Sequence, residues 1–504
     1  MSANLFTLFR SLAPDPARPF IHFPDGTSLT YGDMLAGSAR LAHALVGLGV
    51  VPGDRVATQV EKSTEAILLY LACLRAGAAY LPINPAYTLA ELDYFLADSE
   101  PRVMVCDPAR YEAVSALAGK LGVAHTETMD ASGRGSLADR ATGMGADFAD
   151  LDRAGDDLAA ILYTSGTTGR SKGAMLTHDN LASNALALKD AWRWSGDDVL
   201  LHALPIFHTH GLFVATNVTL ITGASMIFMP RLDADEIVRL MPSATTMMGV
   251  PTFYTRLLQD PRLDRALTAH MRLFVSGSAP LLAETHREWE ARTGHAILER
   301  YGMTETNMNI SNPYEGDRRA GTVGMPLPGV EGRITDPETG RPLATGEIGM
   351  IEIRGPNVFK GYWRMPEKTA AEFREGGWFI TGDLGMVDER GYFSILGRGK
   401  DLVISGGFNV YPKEVEDEID ALPGVVESAV IGVPHPDFGE GVTAVVSLKK
   451  GAALTEAQVL AALTDRLAGY KRPKRVIFVD DLPRNTMGKV QKAALREEHK
   501  GLYT

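Results

Sequence analysis

Short apolar runs alternate with stretches of helical period along the first two-thirds of the chain, the pattern of a layered α/β architecture. Residues 38–48 carry apolar side chains at helical spacing and lead to the strand-like Arg55-Val56-Ala57-Thr58-Gln59-Val60. A second helical stretch, 64–75, runs through Gly77 into Ala79-Tyr80-Leu81-Pro82-Ile83, and 102–106 reads as another buried strand. From Gly321 onward the pattern changes to short strands between Gly and Pro turns, as in Gly349-Met350-Ile351-Glu352-Ile353-Arg354-Gly355, which predicts a small β-rich, barrel-like subdomain. Gly397-Arg398-Gly399-Lys400-Asp401 separates it from a final α+β stretch. At 504 residues the chain exceeds what one hydrophobic core can fill, so about two to four domains are expected.

Bulk properties exclude several classes. A net charge of −12 argues against nucleic acid or an anionic membrane as the main partner. Cys73 and Cys106, the two cysteines, lie in apolar segments and offer neither a disulfide framework nor a cysteine metal site. The start lacks a signal-peptide pattern, and no stretch reaches the roughly 18 apolar residues that cross a bilayer. A cytoplasmic location is the expectation.

The most telling local string is Tyr163-Thr164-Ser165-Gly166-Thr167-Thr168-Gly169-Arg170-Ser171-Lys172-Gly173, directly after the strand-like Leu158-Ala159-Ala160-Ile161-Leu162. Gly166 and Gly169 permit close backbone approach, the hydroxyls add donors, and Lys172 adds a mobile charge. Successive N–H groups with such side chains form a concavity suited to phosphate oxygens. The spacing is not that of a Walker A loop. A flexible polar turn is the plain alternative for the glycines alone.

Further candidates follow in order. Two histidines, His208 and His210, sit in Leu204-Pro205-Ile206-Phe207-His208-Thr209-His210-Gly211-Leu212. By themselves they read as hydrogen-bonded turn histidines or a weak metal pair. Ser276-Gly277-Ser278-Ala279-Pro280-Leu281 follows a strand-like run at 271–275. Glu299-Arg300-Tyr301-Gly302-Met303-Thr304-Glu305-Thr306 reads in isolation as a loop. Asp383, in Trp378-Phe379-Ile380-Thr381-Gly382-Asp383-Leu384-Gly385, reads as a carboxylate at a strand end or a turn aspartate before a hairpin. Lys489, in Leu482-Pro483-Arg484-Asn485-Thr486-Met487-Gly488-Lys489-Val490, reads alone as a solvated charge on a polar loop.

Taken together and in this order, these strings resemble the motifs of acyl-CoA synthetases, within the adenylate-forming superfamily, over essentially the whole chain. Many relatives have proline where Ser171 precedes Lys172. The resemblance implies a large N-terminal domain over 1–397, a hinge at 398–401 centred on Lys400, and a small mobile C-terminal domain over 402–504. It implies ATP, Mg²⁺ and coenzyme A. ATP would be contacted by Thr164, Ser165, Gly166, Thr167, Thr168, Gly169, Lys172, Ser278, Ala279, Glu299, Arg300, Tyr301, Gly302, Met303, Thr304, Asp383 and Arg398. Tyr301 would stack on adenine, Asp383 would hold the ribose hydroxyls, and Glu305 with Thr168 would meet Mg²⁺ through one carboxylate and one hydroxyl, as that ion accepts. Lys489, His208, Thr304 and Glu305 would be the catalytic set, His208 orienting the acyl carboxylate. Ser405, Gly406 and Gly407 would line the coenzyme A arm.

The acid is set by other residues. Val250-Pro251-Thr252-Phe253-Tyr254-Thr255-Arg256-Leu257-Leu258 begins a helix at Pro251 and places Arg256 among apolar residues, and Arg300 precedes Tyr301 where many relatives have a small residue. A guanidinium among apolar groups requires a paired anion, and Arg grips a carboxylate through two parallel hydrogen bonds. Snorkelling to solvent or an internal salt bridge is the alternative for each. With these strings the chain looks most like malonyl-CoA synthetases, which implies Arg256, Arg300, His208 and Ser278 around a dicarboxylate, malonate and also methylmalonate. A short- or medium-chain monocarboxylate ligase and an adenylation enzyme loading a carrier protein are the other readings. Acylation of Lys489 by a protein acyltransferase would erase its charge.

Overall fold

The computed structural model describes residues 3–164, 171–485 and 488–503. Ser165, Gly166, Thr167, Thr168 and Gly169 of the phosphate-loop string lie outside them.

Two layered sheets with helices form the first part. A seven-stranded sheet runs in the spatial order Gly361–Tyr362, Gly173–Thr177, Leu158–Tyr163, Ala79–Pro82, Arg55–Gln59, Val103–Cys106, His125–Thr128. The helix Thr64–Arg75 begins at Ser63, whose side chain accepts from the Ala66 N–H, and every residue except Glu65 is buried. The helix expected over 38–48 starts earlier, as Tyr31–Gly47, because Thr30 and Asp33 close a reciprocal capping box at its N-terminus.

The second sheet has nine strands, and its central members Leu298–Met303, Leu273–Ser276, Thr246–Gly249, Val199–His202 and Ser225–Phe228 are neighbours in that order and parallel. Leu298–Met303 then turns back into Asn307–Ser311, so the string read as a loop begins on a strand. The β-rich part is a five-stranded antiparallel sheet carrying Glu331–Thr335, Gly349–Arg354, Trp378–Val387 and Phe393–Arg398, with Phe373–Arg374 on its edge. Asp383 lies within Trp378–Val387 rather than at its end, because Gly382 at φ +75° and a register shift at Leu384/Gly385 bend the strand without ending it.

The last hundred residues carry a sheet of their own, Val403–Ser405, Phe408–Val410, Val425–His435, Gly439–Leu448 and Arg475–Val479. Helix Pro412–Asp420 packs on it through Val415 and Ile419. The cores here begin at Val403, whereas the main core of the first part ends at Phe393. No helix among the described residues is long and apolar enough to cross a membrane.

Candidate active site

The parallel strands ending at His202, Gly249, Ser276 and Met303 deliver the segments that follow them to one edge of the nine-stranded sheet. Carboxyl ends of parallel strands are where α/β sheets bind ligands. At that edge the structure brings together His208, Tyr254, Gly277, Ser278 and Arg300.

Arg300 is 3% exposed, and its Nε and Nη2 have no hydrogen-bond partner among the described residues. Its guanidinium lies against Gly277, where a Cβ would fall 2.3 Å from Arg300 Cζ. Any larger residue at 277 would displace the arginine. Burial draws the Arg300 pKa down to about 9. Ser278, at φ +72°, is a non-glycine residue in the left-handed region, a conformation that requires support from its surroundings. Its Oγ lies 3.2 Å from His210 Nδ1, and the His210 N–H is 3.4 Å from His208 Nδ1. The wide helical turn His210–Thr216 then carries the chain away. Burial first, and then the charges of Lys489 and Arg300, push His208 down to about 3, so its ring is neutral and can donate or accept without charge.

A second group lies beside the β-rich sheet. Arg398 and Asp383 are directly paired in register, with Arg398 Nε 2.9 Å from Asp383 Oδ1. The Tyr301 hydroxyl donates to Asp383 Oδ2. Glu305 is buried, and the Tyr362 hydroxyl is 2.9 Å from its Oε1. The same hydroxyl is 2.6 Å from Glu372 Oε2. Lys172 lies 3.2 Å from Glu372 Oε1 and 4.2 Å above the Tyr362 ring. Burial raises the Glu305 pKa, against the Tyr362 hydrogen bond and the charges of Arg398 and Lys172. No cluster of three or more His, Cys, Asp or Glu suited to a metal occurs among the described residues. Glu305, a buried carboxylate whose Oε1 is held by one hydroxyl, fits an ion that takes one protein carboxylate and completes its shell with phosphate oxygens, as Mg²⁺ does.

Lys489 reaches this place from the C-terminal part. Its turn is closed by Gly488 N–H to Asn485 O at 2.9 Å, Asn485 N–H to Lys489 O at 3.0 Å, and Lys489 N–H to Asn485 Oδ1 at 3.0 Å. Gly488 lies over the start of helix Pro251–Leu257, and a Cβ there would be 3.6 Å from Thr252 Oγ1. Burial lowers the Lys489 pKa, followed by Arg398, with Asp383 and Glu305 acting the other way and Arg300 adding to the fall. One amine thus feels both groups at once.

Other expected residues fall as follows. Thr164 bonds through its N–H to the Lys172 carbonyl at 2.9 Å, joining the two ends of the phosphate-loop string. Ala279 follows Ser278 in the turn after Leu273–Ser276. Gly302 packs so closely that a Cβ would meet the Asn307 carbonyl at 2.0 Å. Met303 accepts from the Thr306 N–H at 3.2 Å, closing a turn over Thr304 and Glu305. Glu299 Oε1 accepts from the Leu281 N–H at 3.2 Å, while its Oε2 is buried with no partner among the described residues, and burial pushes its pKa up to about 7.

Arg256 corrects one expectation. It is exposed, on the last turn of Pro251–Leu257, and not enclosed by apolar groups. Phe253, Tyr254 and Leu257 occupy the buried face of that helix and leave Arg256 on the other. Gly406 and Gly407, at φ +59° and +81°, form the exposed two-residue turn of the hairpin Val403–Ser405/Phe408–Val410, with Ser405 buried beneath. Lys400 is exposed in the short turn Gly399–Asp401. Tyr362 and Glu372 were not singled out from the sequence, and His210 was given no role. Their signal is three-dimensional only.

Two family models match the chain: AMP-binding enzyme over residues 8–363, and AMP-binding enzyme C-terminal domain over 414–489. A feruloyl-CoA synthase of Amycolatopsis is 38% identical over 94% of each chain. A malonate–CoA ligase of Arabidopsis thaliana is 34% identical over 94% of this chain and 85% of its own. The ATP-bound crystal structure of MatB from Rhodopseudomonas palustris is 65% identical over 100% of both chains, with a TM-score of 0.98. The apo structure of the same protein, at the same identity and coverage, gives a TM-score of 0.87, so the structure is more similar to the ATP-bound form than to the apo form. The chain belongs to the AMP-binding, adenylate-forming enzymes.

Proposed function

We propose that the protein is an AMP-forming malonate:CoA ligase that also takes methylmalonate. The observation that carries the acid assignment is Arg300, a buried guanidinium with two N–H groups lacking any partner among the described residues. An uncompensated buried charge is strongly unfavourable, and a second carboxylate on the substrate relieves it through two parallel hydrogen bonds. Ser278 and His208 add donors beside it, and Arg256, on the exposed face of helix Pro251–Leu257, would have to turn inward to add a second cation. The malonate–CoA ligase relative and the MatB structure support this reading.

ATP would be contacted by the phosphate-loop string, Lys172 and the Asp383–Arg398 pair, with Tyr301 along the adenine. Glu305 would hold Mg²⁺, Thr168 of the phosphate-loop string would be its second ligand, and the ion would neutralise phosphate charge. The proximal carboxylate, oriented by neutral His208, attacks the α-phosphorus in line, and pyrophosphate leaves. Lys489 bridges carboxylate and α-phosphate oxygens as negative charge builds, while Thr304 donates to the α-phosphate. The part beyond residues 398–401 then turns about Lys400, withdrawing Lys489 and presenting the Gly406–Gly407 turn to coenzyme A. The thiol displaces AMP from the acyl carbon, giving the thioester. Acylation of Lys489 by a protein acyltransferase removes the bridging charge and stops the first half-reaction.

Pyrophosphate release and thioester formation are measured with malonate, methylmalonate, succinate, acetate and octanoate. Malonate is expected to lead, with methylmalonate next and free coenzyme A as acceptor. A lead for acetate or octanoate overturns the dicarboxylate reading. Adenylate formation without thioester on free coenzyme A overturns the ligase reading.

A further inference from the structure

We propose that Glu372 is a positioning residue for ATP: it holds the Lys172 ammonium in place and keeps a partner for Tyr362 when Glu305 is engaged elsewhere. This rests on the reading of Lys172 and Glu305 as phosphate and metal contacts.

Glu372 is fixed by its backbone to the strand that carries Asp383, since its carbonyl accepts from the Ile380 N–H at 2.9 Å and its own N–H donates to Thr369 O at 3.1 Å. Its side chain, 19% exposed, lies between two lysines and a tyrosine. Lys172 is 3.2 Å and Lys368 2.6 Å from Oε1, and the Tyr362 hydroxyl is 2.6 Å from Oε2.

Two features of this arrangement go beyond a static salt bridge. The first is redundancy of cations. When Lys172 leaves for a phosphate oxygen, Lys368 remains on the same carboxylate oxygen, so the anion is not stranded. The second is redundancy of acceptors. The single Tyr362 proton serves one carboxylate at a time, and Glu305 and Glu372 both lie within reach of it. If Glu305 turns to other partners, the tyrosine still donates to Glu372, and a buried hydroxyl is not left unsatisfied. Both groups that ATP and its metal require are thereby held ready yet free to move. Lys172 and Glu372 are 200 residues apart in the chain, and strand Gly361–Tyr362 bridges them by pairing with Gly173–Thr177.

The test is ATP affinity by calorimetry, in the absence of acid and coenzyme A, for the wild type, Glu372→Gln, Lys172→Ala and the double variant. Glu372→Gln keeps size and an acceptor for Tyr362 but loses the charge. It is expected to weaken ATP about tenfold in the wild-type background and by about twofold or less beside Lys172→Ala. The KM for malonate and the rate of thioester formation from preformed acyl-adenylate are expected to stay unchanged, which reports a folded protein. Equal loss in both backgrounds, or no loss in either, overturns the proposal. Should Glu372→Gln be poorly folded, Lys368→Met at the rim supplies a second reading. It leaves Lys172 as the sole lysine on Glu372 and is expected to weaken ATP by holding that lysine back, and an affinity equal to wild type overturns the competition between the two cations. Failure of the wild type to bind ATP at all would instead refute the functional reading on which this rests.

Discussion

Arg398 and Asp383 face each other across one ladder, 2.9 Å apart at Nε and Oδ1, while the Tyr301 hydroxyl donates to the other carboxylate oxygen. The aspartate is 5% exposed, so its direction is set by these two partners. Tyr301, 82 residues away in the chain, therefore joins a pair on neighbouring strands at one carboxylate. Asp383→Asn removes the charge that holds Arg398 and weakens the Tyr301 bond. Losing one member of such a pair is expected to reduce ATP affinity by about 2 kcal/mol, roughly thirtyfold. Calorimetric titration with ATP checks this, and an unchanged affinity removes Asp383 from the nucleotide site.

Lys489 shares its surroundings with Arg398, Asp383, Glu305 and Arg300, all on the larger part of the chain. Lys489→Ala is expected to slow acid-dependent adenylation by about 10²–10³-fold. Thioester formation from a synthetic acyl-adenylate is expected to stay near the wild-type rate, since the proposed rotation about Lys400 withdraws the lysine for that step. Pyrophosphate exchange and thioester assays, run separately, divide the two half-reactions. An equal loss in both would show that the lysine supports the fold instead.

The sequence was most legible where one physical constraint dominates. Helix Thr64–Arg75 has the bounds its apolar run predicts, because it is enclosed on nearly every side and capped at Ser63. Asp383 reads from the sequence as a carboxylate at a strand end or a turn aspartate before a hairpin. In the fold Gly382 takes the left-handed conformation and the strand continues. Arg256 and Arg300 were read as equivalent pocket cations. Helical spacing already separates them, since Phe253, Tyr254 and Leu257 claim the buried face of their helix and leave 256 opposite. Tyr362 and Glu372 could not be found this way. Their meeting with Glu305 and Lys172 depends on pairings in two different sheets, and no periodicity records it.

Glu299 and Asp420 link stability to pH. Burial raises both carboxyl groups to about 7, from ordinary values of 4.5 and 3.8. Between the ordinary value and about 7 the folded protein keeps a proton that the unfolded chain has lost. Stability therefore falls as pH rises through that window and levels off above it. Glu299→Gln removes one of the two contributions and keeps an acceptor for the Leu281 N–H, at a fixed cost for an NH₂ group placed where Oε2 has no partner among the described residues. Its stability relative to wild type is expected to improve by up to about 3 kcal/mol between pH 5 and pH 8, leaving a residual slope from Asp420. Denaturant melts at the two pH values measure the change. A difference that stays constant with pH would mean that Glu299 ionises normally.

Arg300 sets function against stability. Its buried Nε and Nη2 have no partner among the described residues, and its guanidinium lies against Gly277. Arg300→Met keeps the stem and removes the charge. Replacing a buried, poorly compensated ion by an apolar group is typically neutral or stabilising, so the melting temperature is expected to hold or rise. Malonate turnover is expected to fall about a hundredfold in kcat/KM, matching about 3 kcal/mol of charged hydrogen bonding, while octanoate gains relative to it. Arg256→Ala, on the exposed face, is expected to change stability by about 0.5 kcal/mol or less and to raise the malonate KM with less effect on kcat. Melting curves and acid-panel kinetics on the two variants separate these outcomes. A large loss of stability in Arg300→Met, with the order of acids unchanged, would mean that the guanidinium is a structural element with a partner other than the substrate.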